Sequence, residues 1–254
     1  MSTTLNIKTR IKNGEAVFGT FCNIPSTTMI DALGYAGMDF CILDTEHGPM
    51  NTESIADLVM VANGVQVDPI VRVGKNDELL ILRALDVGAL GVQVPKINTK
   101  EDAEIVVDSV KYSPIGSRGL SIFTKAGSYF CDSGEDHTDK QNEKTMTIVH
   151  IEGKDAISNI DSIISVDGID VIFLGPYDIS QSLGIPGKVD DERVSTIIKE
   201  MVKRSKSMDM AVGSYAKDID MAKWLKGLGV QYIAINVDST IYMQACKSIV
   251  AELS

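Results

Sequence analysis

The segment Leu43-Asp44-Thr45-Glu46-His47-Gly48-Pro49 sets three ionisable side chains directly behind the apolar run Phe40-Cys41-Ile42-Leu43. A buried strand that ends in acids, a histidine and a Gly-Pro turn can hold those groups rigidly at the rim of a cleft. Histidine is the side chain that exchanges protons near neutral pH, and the chain has three. The same pattern, an apolar run ending in polar groups, recurs at Ile70-Val71-Arg72-Val73, His150-Ile151-Glu152, Leu174-Gly175-Pro176-Tyr177-Asp178, Gly213-Ser214-Tyr215 and Asn236-Val237-Asp238. Singly, each has a plain structural reading: Asp178 ahead of Ile179-Ser180, and Asp77 ahead of an apolar helix, both read as helix caps. Arg72 is harder to explain that way, because a guanidinium between Val71 and Val73 needs a partner or an anionic ligand.

Glu152 and Asp178 stand at the ends of neighbouring runs and converge if those runs are adjacent strands. Two carboxylates without a Cys or a His-x-x-x-His pair suit a hard divalent cation, Mg2+ or Mn2+, with Co2+ as a further option. Such an ion is a Lewis acid toward a carbonyl. Arg72 offers a planar fork to a substrate carboxylate, and His47 can move a proton. Clamp, metal and base together describe enolate chemistry on a 2-oxo acid.

These side chains need a frame that gathers strand ends. Eight short β-rich runs alternate with amphipathic segments, the pattern of parallel strands joined by crossover helices. The strands are expected at Val17-Cys22, Phe40-Asp44, Pro69-Val73, Gly91-Pro95, Thr145-Ile151, Val171-Gly175, Ala211-Ser214 and Gln231-Ile235. Helices are expected near Thr27-Ala36, Thr52-Ala62, Asp77-Val87, Lys100-Lys111, Ala156-Ser165, Asp191-Ser207, Ile219-Leu228 and Ser239-Leu253. Eight βα units in a chain of 254 residues match one (β/α)8 TIM barrel spanning residues 1–254, whose site lies at the carboxyl ends of its strands. An open doubly wound sheet is the alternative, but the first βα turn, Phe21-Cys22-Asn23-Ile24-Pro25, lacks a Gly-rich dinucleotide fingerprint. The polar stretch from Tyr112 to Lys144 breaks the rhythm and is expected to carry a short extra helix, to act as a lid or subunit contact, or to be a solvated connector.

With 24 basic against 35 acidic residues and a net charge of -11, the chain repels nucleic-acid backbones and anionic membranes, so neither is an expected partner. Cys22, Cys41, Cys131 and Cys246 lie far apart, as reduced thiols do, and two of them read as core residues. Met1 to Asn13 lacks the apolar core of a signal peptide, and no apolar stretch is long enough to span a membrane. The expected location is the cytoplasm.

At this point several motifs in fixed order resemble one family. They are Leu43 to Pro49, Val71-Arg72 with Asn76-Asp77, Leu85-Asp86-Val87-Gly88, Tyr112-Ser113-Pro114 with Arg118-Gly119, Ile151-Glu152, and Phe173 to Ser180. The chain is similar to the HpcH/HpaI class II pyruvate aldolases from about residue 15 to 250. The resemblance implies a barrel whose last helix is exchanged between subunits of a homo-oligomer, a hexamer built as a trimer of dimers. It also implies metal-dependent, reversible cleavage of 4-hydroxy-2-oxo acids to pyruvate and an aldehyde. By the same resemblance His47 is the catalytic base, supported with its water by Asp44. Arg72 stabilises the pyruvate enolate, and Asp86 acts on the histidine across a subunit contact. Glu152 and Asp178 are the metal ligands, and the main chain around Gly175, Pro176, Tyr177 and Asp178 holds the substrate beside His150 and Tyr215.

Two positions depart from that pattern. His150 stands where the family commonly has Gln, and could donate, accept or act as a third metal ligand. Tyr177 stands where a small Ala is common and narrows or repolarises the pocket. Rival readings are a Schiff-base aldolase using Lys96 or Lys154, another acid-enolate reaction such as oxaloacetate decarboxylation or phosphoenolpyruvate chemistry, and a catalytically silent binding barrel.

Overall fold

The computed structural model describes residues 6–130 and 134–253. Eight parallel strands close into a barrel in sequence order: β1 (Val17–Cys22), β2 (Phe40–Asp44), β3 (Asp68–Arg72), β4 (Gly91–Val94), β5 (Met146–Ile151), β6 (Val171–Leu174), β7 (Ala211–Ala216) and β8 (Tyr232–Val237). The crossover helices are α2 (Thr27–Tyr35), α3 (Thr52–Gly64), α4 (Glu78–Asp86), α5 (Lys100–Val110), the pair α7 (Lys154–Ser158) and α8 (Ile160–Ile164), α10 (Glu192–Ser207) and α11 (Ile219–Leu228). The chain ends in α12 (Asp238–Leu253). This is the expected (β/α)8 architecture.

Three short helices interrupt the simple alternation. α1 (Ile7–Lys12) lies under the barrel, with Ile7 and Ile11 buried and the Ile7 amide donating to Asp68 at 2.7 Å. Its two apolar residues are too few to show a helical period. α6 (Gly134–Lys144) is the extra helix within the Tyr112 to Lys144 stretch, and α9 (Pro176–Ser182) follows β6 directly. The helix expected at Ala156-Ser165 breaks at Asn159 into α7 and α8. Asp77 caps α4, accepting from the Leu80 amide at 3.1 Å.

The strand period of two separates two apolar clusters. Val17, Phe21, Phe40, Ile42, Ile70, Met146, Ile148, Val171, Phe173, Tyr232 and Ala234 fill the barrel interior together with Ile7 and Ile11, while the intervening residues, among them Leu43, Val71, Val149 and Leu174, pack under the helices. Phe40 and Tyr232 stack inside at 4.1 Å between ring centroids. Gly213 makes room for them: a Cβ there would lie 2.8 Å from the Tyr232 ring and 3.0 Å from that of Phe173. Continuing the inward parity up each strand leads from Phe40-Ile42 to Asp44, from Ile70 to Arg72, from Met146-Ile148 to His150 and Glu152, and from Val171-Phe173 to Gly175. The packing that fills the barrel therefore aims the polar residues into its mouth.

Cys22 and Cys41 are buried free thiols, Cys246 is half-buried, and Cys131 lies outside the described residues, as do Met1 to Leu5. Among the described residues no helix is long and apolar enough to cross a membrane.

Candidate active site

At the carboxyl ends of the strands lies a cavity of about 290 Å³ lined by Asp44, His47, Arg72, His150, Gly175, Pro176, Tyr177, Asp178 and Tyr215, with Phe21, Asn23, Phe173 and Val237. Two residues expected at the site stand outside this lining: Glu152 lies behind Gly175, and Asp86 lies elsewhere.

Strand register brings the first group together. Asp44 on β2 pairs with Arg72 on β3, and Arg72 with Gln93 on β4. Arg72 donates from Nε to Asp44 Oδ1 at 2.8 Å and from Nη2 to Asp44 Oδ2 at 2.6 Å, a bidentate pair, while Nη1 lies 3.4 Å from Glu46. The guanidinium sits 4.8 Å above the Phe21 ring. Its fork, read from the sequence as a clamp for a substrate carboxylate, is thus already closed on Asp44, leaving hydrogens on Nη1 and Nη2 for a ligand oxygen. Burial alone would raise the Asp44 carboxyl, but hydrogen bonds and charge from Arg72, with the Glu46 and His47 amides, hold it below the usual range. Those amides donate to Asp44 Oδ1 at 3.1 and 3.3 Å, so one carboxylate orients both the arginine and the loop that presents the exposed His47.

The second group is carboxylate-rich. Gly175 is the N-cap of α9, which places Asp178 in the first turn rather than at the cap. A Cβ on Gly175 would meet Asp178 Oδ2 at 3.1 Å and Glu152 Oε2 at 3.6 Å, so both carboxylates converge beside this glycine. Burial, then the charge of Glu152, pushes the Asp178 carboxyl above its ordinary range. Burial also acts to raise Glu152, but His150 and the Lys96 amide outweigh it and hold that carboxyl low. Two converging oxygens, one of them destabilised as an anion by the other, fit a divalent cation between them. Among the described residues no group of three or more His, Cys, Asp or Glu is arranged to hold a metal ion. Waters and substrate oxygens would complete the shell, as Mg2+ commonly requires.

His150 is engaged at both ring nitrogens, Nε2 with Gln93 Nε2 at 2.6 Å and Nδ1 with Glu152 Oε2 at 3.1 Å. It is not free to act as the third ligand. On the opposite wall Tyr177 meets Tyr215 edge to face at 5.6 Å, and the Tyr215 hydroxyl lies 3.5 Å from Asn236 Oδ1. Burial and then the neighbouring Tyr177 and Asp218 push the Tyr215 phenol up to about 12, so it stays protonated as a donor.

The Schiff-base reading finds no geometry in its favour. Lys96 is exposed with its ammonium 3.5 Å from Glu46, Lys154 is exposed at the first position of α7, and neither is among the cavity's lining residues. Asp86 closes α4 and accepts from the Arg118 Nη2 at 2.8 Å, with that guanidinium over the Tyr112 ring at 4.6 Å. One chain does not bring Asp86 to His47. Gln93, Phe21 and Tyr232 are the participants that sequence reasoning missed, while Glu46, one of the three ionisable groups of the opening segment, lies beside Arg72. Gln93, a polar residue inside Val92-Gln93-Val94, carries the same signal that singled out Arg72.

The model of the HpcH/HpaI aldolase/citrate lyase family matches residues 18–245. The chain belongs to this family. A hydroxypyruvate/pyruvate aldolase of Roseobacter denitrificans is 30% identical over 245 residues, 96% of this chain and 95% of the relative. An HpcH/HpaI aldolase/citrate lyase family protein from Burkholderia cenocepacia superposes with a TM-score of 0.92 at 27% identity, covering 97% of this chain and 98% of that one. A structure described as citrate synthase SbnG gives a TM-score of 0.87 at 32% identity, with 98% of each chain covered. The expected family, barrel and lyase class hold, and the chain resembles proteins named as an aldolase and as a citrate synthase.

Proposed function

We propose that the protein is a divalent-metal-dependent aldolase that reversibly cleaves a 4-hydroxy-2-oxo acid to pyruvate and an aldehyde. The observation that carries this reading is the convergence of Glu152 and Asp178 over Gly175, in the same barrel mouth as Arg72 and His47. Glu152 and Asp178 would hold Mg2+ or Mn2+, which supplies Lewis acidity toward the 2-oxo group. Arg72, fixed by Asp44, turns its remaining hydrogens toward the oxygen that gains charge as the enolate forms. His47, on the loop that Asp44 orients, takes the C4 hydroxyl proton as the C3–C4 bond breaks, and the bonding electrons pass to the pyruvate fragment. The first-turn amides of Tyr177 and Asp178 face the substrate carboxylate, and the Tyr177–Tyr215 wall faces the departing aldehyde.

The decisive assay follows pyruvate release from 4-hydroxy-2-oxo acids with and without chelator. Activity lost in EDTA and regained with Mn2+ or Mg2+ supports the proposal; full activity in chelator, or trapping of pyruvate on the protein by borohydride, overturns it. The likeness to a citrate synthase adds one arm, acetyl-CoA with oxaloacetate: citrate formation without aldol cleavage would assign the site to an acetyl-CoA enolate with a ketone acceptor instead of a pyruvate enolate with an aldehyde.

The cytoplasmic, homo-oligomeric state belongs to the same reading. The free thiols support the location. The last helix supports assembly: only Asp238 of its sixteen residues is buried, and Tyr242, Met243, Ile249, Val250 and Leu253 are exposed. A helix so little buried by its own chain suits exchange with another subunit.

A further inference from the structure

Below the cavity a chain of buried polar groups ends on Glu152. Tyr232 on β8 donates its hydroxyl hydrogen to Gln93 Oε1 at 3.4 Å. That contact turns the Gln93 amide so that its nitrogen faces β5 and donates to His150 Nε2 at 2.6 Å. With Nε2 used as the acceptor, the hydrogen of the neutral ring resides on Nδ1, which donates to Glu152 Oε2 at 3.1 Å. The other carboxylate oxygen, Oε1, accepts from the Lys96 amide at 2.9 Å, and Lys96 adopts a left-handed backbone, φ 59°, to present it. Each Glu152 oxygen therefore has one neighbour and at least one remaining lone pair.

The imidazole cannot swing out of this chain. It stacks on Phe173 at 4.8 Å, and Phe173 is held edge-on by Tyr232 and Phe21. Gln93 and Tyr232 are fully buried and His150 nearly so, which leaves no solvent to exchange the partners.

We propose that Tyr232 and Gln93 at one ring nitrogen, with the Glu152 carboxylate at the other, hold His150 in one tautomer, and that His150 thereby acts as the positioning residue that aims Glu152 at the metal while withholding its own lone pair from it. The inference rests on the reading of Glu152 as a metal ligand and deepens it. It explains how a histidine can stand beside a metal carboxylate without becoming a ligand: Gln93 occupies one nitrogen and a hydrogen occupies the other. Two protein ligands then leave the remaining coordination positions to water and a 2-oxo acid.

Two readouts test it on the full-length protein. Magic-angle-spinning 15N spectra of histidine-labelled protein, with the His150 signals identified by comparison with His150→Gln, should show Nδ1 protonated and Nε2 bare. Gln93→Leu, which leaves Nε2 without its donor, should move the Nε2 signal, with Tyr232→Phe, which keeps the ring stack, doing so to a smaller extent. Direct titration with Mn2+ should show binding weakened about 10- to 100-fold in His150→Leu, the range for loss of a group that orients a ligand, with His150→Gln restoring most of it because its amide can still donate to Glu152. A wild-type hydrogen on Nε2 or a spectrum unmoved by Gln93→Leu would overturn the relay, and His150→Leu binding Mn2+ as tightly as wild type would overturn the aiming role. Failure of the wild-type protein to bind Mn2+ would overturn the ligand reading instead, and with it the aiming role, while the spectra still decide the tautomer relay.

Discussion

Arg72 and His47 sit on one carboxylate, Asp44, yet their substitutions should read out differently. His47→Ala removes the proton acceptor, so turnover measured by pyruvate release should fall about 10²- to 10⁴-fold while Mn2+ affinity stays as in wild type. Arg72→Lys keeps the charge but cannot reproduce the bidentate contact with Asp44. It should lower kcat by about 10²- to 10³-fold, the cost of losing a donor aimed at developing charge, with a smaller effect on KM. Tyr177→Ala removes one face of the Tyr177–Tyr215 pair and should change the ranking of aldehydes by kcat/KM in the synthetic direction while leaving KM for pyruvate in place; an unchanged ranking would refute that role. Asp44, His47, Arg72, Glu152 and Asp178 were legible as single residues because each breaks an apolar run where a strand ends. Their partnerships were not. Nothing in Asp44-Thr45-Glu46-His47 says that Asp44 would face Arg72 more closely than His47, since that follows from the register of β2 against β3.

Strand existence was readable because parallel barrel strands are short, apolar and regularly spaced, and the expected strands differ from the observed ones only at their ends. The differences have physical causes. β7 and β8 run on past Tyr215 and Asn236, polar residues that a sequence reading treats as the strand's end: Tyr215 stays paired with Ala234, and Asn236, at φ 57°, forms the irregularity before Val237 pairs with Phe21. α1 and α9 are too short to display a period, and α7 and α8 are separated at Asn159 within what reads as one apolar pattern. Gln93 and Tyr232 were passed over because a polar or aromatic residue inside a strand reveals its role only when the barrel closes and sets β8 across from β4. The interior packing makes a prediction at this scale. Gly213→Ala places a methyl group against the Tyr232 and Phe173 rings, overpacking that costs about 1–3 kcal/mol. Thermal melting should fall by several degrees, and because Phe173 supports His150, Mn2+ affinity should fall with it.

For the whole molecule, charge is unevenly borne. At the base of the barrel Lys8 and Lys111 both donate to the Thr145 carbonyl, at 2.8 and 2.7 Å, with Asp170 3.1 Å from Lys8. Burial first, and the nearby lysines against the opposing pull of Asp170, bring the Lys111 ammonium down to about 8. The folded state thus releases this proton before the unfolded chain does. Between about pH 8 and the ordinary lysine range near 10.5 the unfolded state holds more protons, so this residue's contribution to stability rises with pH across that window and is flat below it. Chemical denaturation of wild type against Lys111→Met should therefore show the difference moving in favour of wild type as pH climbs from 8 to 10; a constant difference would refute the shift. Assembly is the other property of this scale. Light scattering should give a mass several times the 27.5 kDa chain, and Val250→Glu on the exposed face of α12 should lower it. Asp238 links the root of α12 to the cavity. As the first residue of α12 its carboxylate accepts the amide hydrogens of Asn23 and Ile24, both at 3.1 Å, across the junction where β8 meets β1. Asn23 is part of the cavity wall, so the root of the last helix and the lip of the pocket are tied as one piece. In the proposed assembly, a subunit that captured the helix would also take hold of the rim its neighbour's substrate must pass.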